Sequence, residues 1–155
     1  MAKLTSLRKE TPRDIWIQPY ENVAEFPYYT DAKGERRRVS DAWREVRFRV
    51  VYPTMKVISA IASRSTRLQL IKGINTPQRE FDPEKLAEYI ASSIILEWEN
   101  VTEEDGSPAP YDSSFMREQF LASPFLLNEF VAFYHKIGED LGAQEAVERE
   151  AFLQP

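Results

Sequence analysis

The sequence predicts an α+β fold, mainly helical, in which a small amino-terminal β-strand region (a hairpin plus a strand) is followed by a four- to five-helix bundle. Three observations lead there. Val46, Phe48 and Val50 alternate with Arg47 and Arg49, the period-two pattern of a half-buried strand. Beyond Pro53, apolar residues recur three and four positions apart, the spacing of amphipathic helices. The length, 155 residues with 43% apolar side chains, suits one hydrophobic core. Residues 1–155 therefore read as a single domain, with an extended arm and strands over 1–52 and a helical part over 53–155.

Taken in order, the first thirty residues interleave Trp16, Pro19, Tyr20, Phe26, Pro27, Tyr28 and Tyr29, which reads as an extended arm or edge strand. Asp31-Ala32-Lys33-Gly34 carries turn chemistry, so Phe26–Thr30 and Glu35–Ser40 are expected to pair as a hairpin. Glu45–Tyr52 is the alternating strand. Pro53-Thr54 ends it and opens a helix bearing Met55, Ile58, Ile61 and Ala62, a spacing that Leu68 could extend. Gly73, Asn75 and Pro77 mark a loop.

A second helix is expected at Asp82, whose carboxylate can cap the free amides, with Pro83 at the first helical position and Phe81 and Leu86 as a hydrophobic staple. Leu86, Tyr89, Ile90, Ile94 and Trp98 follow at helical spacing, so this helix is expected to end on Trp98. Thr102–Pro110 is a loop that turns at Asp105-Gly106. Asp112 caps a short helix with Phe115, Met116 and Phe120, stapled by Tyr111 and Met116. Ser123-Pro124 opens a fourth, whose apolar face carries Leu126, Leu127, Phe130, Phe133, Tyr134 and Leu141. Gly138 and Gly142 are its candidate ends, and 143–152 is expected to add a short amphipathic helix.

Chemistry is sparse. The absence of cysteine removes disulfides, thiolate nucleophiles and Cys-ligated zinc. The single histidine, His135, has no metal-binding or catalytic companions, and no Gly-rich phosphate loop occurs. The acidic run Glu103-Glu104-Asp105-Gly106 approaches an EF-hand loop, but the first ligand position falls on Val101, so calcium is rejected. Arg36, Arg37, Arg38, Arg44, Arg47 and Arg49 form a basic cluster, yet the net charge of −5 disfavours phosphate binding. No segment has the apolar run of a signal peptide or membrane span. These features predict a soluble cytoplasmic binding protein, not an enzyme, with no cofactor and no metal.

The run from Ile95 to Asp112 resembles the signature of tail assembly chaperones from long-tailed, siphovirus-like bacteriophages. There a helix ends on a tryptophan, and an acidic Asp-Gly turn leads through a proline and an aromatic to a capped helix; Trp98, Asp105, Gly106, Pro110 and Tyr111 match that order. The resemblance covers about the last two-thirds of the chain. It implies a non-catalytic assembly factor in the host cytoplasm, absent from the mature virion. Such a factor covers the apolar surface of the tape measure protein, prevents its aggregation and helps recruit tail tube protein. Phe130, Phe133 and Phe152 are the expected partner-binding anchors, and the exposed apolar surface such a role needs is also compatible with a homo-oligomer. Two alternatives stand beside it: a structural virion protein, such as a tail completion or connector subunit, and a nucleic-acid-binding regulator using Arg36–Arg49.

Overall fold

A computed structural model describes residues 13–69, 73 and 78–153. Strands and helices alternate as α+β. The strands are β1 (Asp14–Ile17), β2 (Tyr28–Thr30), β3 (Arg36–Arg38), β4 (Arg47–Val51), β5 (Thr66–Gln69), β6 (Gln78–Phe81) and β7 (Ile95–Glu99). The helices are α1 (Met55–Arg64), α2 (Pro83–Tyr89), α3 (Ser113–Ala122) and α4 (Pro124–Leu153), with a 3-10 turn at Asp41–Glu45.

The centre is an antiparallel sheet in the order β1-β4-β7. The alternation in β4 sends Phe48 and Val50 inward, beside Ile17 of β1 and Ile95 and Trp98 of β7. The opposite face carries Asp14, Trp16, Arg47, Arg49, Glu97 and Glu99. Helix α4 crosses the inner face, its Phe130 meeting Phe48 edge to face at 5.5 Å and Phe120 of α3 at 5.8 Å. Two long-range hydrogen bonds fix this packing. The fully buried Tyr20 hydroxyl donates to the Leu126 carbonyl at 2.6 Å, and the Tyr134 hydroxyl donates to the Val51 carbonyl at 2.7 Å. Burial raises the pKa of both phenols, so each stays a proton donor.

The β2–β3 hairpin forms around Gly34 at φ +80°, with Asp31 accepting from the amides of Lys33 and Glu35. Thr54, Asp82 and Asp112 cap α1, α2 and α3 through their side-chain oxygens. Within the expected loop marked by Gly73, Asn75 and Pro77, residues 74–77 lie outside the described residues, as do the first twelve, and Gln78 already belongs to β6.

Three expectations are corrected. The helix begun at Asp82 does not reach Trp98; it passes through a π-helical turn at Ile90–Ile94 and the chain becomes β7. The helix-like spacing within the strand comes from a bulge, where the β4 pairing shifts between Arg49 and Val50 so that Leu96 and Glu97 both face outward. Ile95 and Trp98 then share the inner face three residues apart, a spacing that imitates a helix. Gly138 and Gly142 end nothing, since α4 runs through both and absorbs the expected fifth helix. Strands β5–β7 also lie within 53–155, the part read as helical.

Candidate functional site

The Ile95–Asp112 segment is built around Trp98. Its indole lies under the returning loop, where Nε1–H donates to the Ala109 carbonyl at 2.9 Å. Tyr111 and Phe115 meet the indole edge to face, at 5.1 and 6.1 Å. The Tyr111 hydroxyl donates onward to the Ala91 carbonyl in the π-helical turn, and burial pushes its pKa well up. One tryptophan thus ties strand, loop and α3 together.

The loop between them is a tight turn. The Ala109 amide bonds the Val101 carbonyl, the Glu103 amide bonds Ser107, and Gly106 at φ +86° donates to the Glu103 carbonyl. The Asp105 carboxylate accepts from the Ser107 hydroxyl at 2.6 Å and the Ser107 amide at 2.9 Å, which holds its pKa below the usual carboxylate range. Asp105 is therefore occupied as a turn acceptor, and exposed Pro110 directs the chain into Tyr111. Trp98 and Tyr111 thus meet directly, Asp105 and Gly106 shape the turn that joins them, and the exposed side chains of Phe115 and Leu96 lie on the outside.

The expected partner anchors fare differently. Phe130 is fully buried between Phe48 and Phe120, so it holds the core and is not accessible to a partner. Its position on a wide apolar helix face is common to core residues and binding residues, and only burial separates them. Phe133 is half-buried against the core, and the Phe152 side chain lies outside the described residues. Sequence reasoning missed the exposed part of α4: from Gly142 to Ala151, and again at Leu153, every described side chain is exposed.

The arginines are mostly engaged. Arg49 bridges Asp14 and Glu97 at 3.0 Å each, and Arg47 pairs with Glu99 across the strands. Arg37 holds Asp31 and Glu35, and Arg44 donates to the carbonyls of Val23 and Ala24. Arg36 lies over the Tyr28 ring at 4.4 Å. The surface they form is a lattice of alternating charge, poorly suited to phosphate. A cleft between α1, α2 and α3 is likewise mixed, with Arg117 paired to Glu88 at 3.0 Å and Arg64 over Tyr89. Among the described residues no three His, Asp or Glu side chains converge to hold a metal, and no helix is long and apolar enough to cross a membrane.

Residues 53–154 match the family model described as YdaY prophage protein. The chain belongs to that family. It is phage-derived, and the matched span covers α1 to α4 with the whole Trp98 unit, leaving β1–β4 outside. No curated protein and no solved structure matches this YdaY-family chain.

Proposed function

We propose that this prophage protein is a non-catalytic tail assembly chaperone. It binds the tape measure protein in the host cytoplasm, keeps that protein's apolar helical surface from aggregating, and hands it to tail tube subunits. The observation that carries this reading is the Trp98 unit within a phage-family chain: Trp98, Asp105-Gly106, Pro110 and Tyr111 follow the order found in tail assembly chaperones, and the loop they span returns so that Trp98 meets Ala109 and Tyr111. A second support is the length of α4 that projects from the core with its side chains exposed, which suits a protein that works by covering another.

Co-expression with the tape measure protein of the same prophage tests it. The expected result is a soluble tape measure protein that co-purifies with this chain, and no copies of the chain in purified virions. Stoichiometric presence in virions would instead assign it to the tail structure, as a completion or connector subunit.

A further inference from the structure

Helix α4 carries two different apolar stripes, and they point in different directions. Over its first half, Leu127, Phe130, Tyr134 and Gly138 recur three and four apart and pack on the core and α1, and half-buried Leu141 continues the spacing. The next two positions of that stripe are Glu145 and Glu148, so the core-facing pattern breaks. Glu145 accepts from the Tyr52 hydroxyl at 3.1 Å, which anchors the helix where it leaves the body.

Beyond this point a new seam starts on another side. Ala143, Ala146, Glu150 and Leu153 are spaced three, four and three apart, the a/d pattern of a helix that packs along another helix, and Val147 flanks them. All five are exposed, Val147 by 66% and Leu153 by 73%. The segment from Gly142 to Leu153 is twelve residues, about 18 Å of helix. This last stretch of α4 presents an apolar face on which nothing among the described residues packs.

Charge identifies what covers it. From Glu139 to Leu153 five carboxylates (Glu139, Asp140, Glu145, Glu148 and Glu150) stand against one cation, Arg149. A second copy laid along the seam would set carboxylates against carboxylates, with Glu150 inside the contact. We propose that Gly142–Leu153 is a docking surface for a basic amphipathic helix of another protein. Its apolar residues pack over the small Ala143 and Ala146 and against Leu153, and a lysine or arginine faces Glu150. This deepens the chaperone reading and rests on it only for the partner's identity.

The test uses the full chain and two synthetic three-heptad peptides with leucine at a and d, one with lysine and one with glutamate at the flanking positions. Binding is followed by fluorescence anisotropy at low and at physiological salt. The lysine peptide is expected to bind and to weaken as salt rises, and the glutamate peptide not to bind. Ala146→Lys and Glu150→Lys should each reduce binding of the lysine peptide at least tenfold while leaving thermal unfolding unchanged, since both sites are exposed. Charge reversal on the far sheet face, Glu97→Lys, should leave it within twofold. Equal binding of both peptides, undiminished binding by the α4 variants, or a chain dimer that these variants dissociate would overturn the proposal. Lysine-peptide binding without retention of the tape measure protein would remove the chaperone reading and leave the docking surface standing.

Discussion

Trp98 contributes through both its ring and its single donor. In Trp98→Phe an aromatic ring remains, but the Ala109 carbonyl loses its partner, so unfolding in urea should shift by about 1–3 kcal/mol. Trp98→Ala also removes the ring from Tyr111 and Phe115, and the expected loss is about 3–5 kcal/mol. A phenylalanine variant as stable as the parent would show that the indole hydrogen bond contributes nothing. At Asp105 the folded pKa is lowered, so its contribution is complete above the unfolded carboxylate value and is lost as pH falls through the lower folded value. Asp105→Asn should therefore flatten the acid limb of the stability profile in that window and leave the neutral region with little pH slope. The caps at Asp82 and Asp112 were readable from sequence because a cap depends on a side chain and the amides two or three residues away. Phe130 was not readable as core in the same way, because its burial depends on Phe48, which lies eighty-two positions earlier in the sequence.

At the scale of elements, the two glycines of α4 have opposite meanings. A Cβ at Gly138 would sit 2.5 Å from Ile58 Cδ1 and 3.2 Å from the Pro53 carbonyl oxygen, so this glycine lets α4 approach α1 closely. A Cβ at Gly142 meets nothing within 4 Å. Gly138→Val should cost about 1–3 kcal/mol through overpacking, whereas Gly142→Ala should stabilise the helix by up to about 1 kcal/mol. Thermal melts of the two variants moving in the same direction would contradict this assignment. Both were read as helix ends because glycine usually ends helices, and the close approach of α1 cannot be seen from the sequence around either one. Strand β7 was hidden by the bulge at Leu96, and the π-helical turn before it continues the three-and-four spacing without a break. The β2–β3 hairpin and β4 were legible because turn chemistry and strict alternation are local signals.

At the scale of the whole molecule, the charge asymmetry of the sequence is largely cancelled by folding. The arginine-rich first third meets its acids across the sheet, with Arg47 and Arg49 on Glu99, Glu97 and Asp14. Ion pairs this exposed add little stability, but they occupy the two arginines of the central strand that a phosphate would need. Any retention on a DNA column should be gone by about 0.15 M salt; a gel shift persisting at that salt would favour the regulator alternative. Beyond Gly138, α4 carries five carboxylates in fifteen residues, and there the apolar seam also changes direction. The family match places the chain among prophage proteins, and the exposed end of α4 offers it a surface. The most direct measurement is titration of the purified chain with tape measure protein from the same prophage, read by light scattering and co-elution. A chaperone suppresses aggregation at near-stoichiometric ratios and elutes with its client. Unchanged aggregation and separate elution at a several-fold excess of the chain would contradict that role.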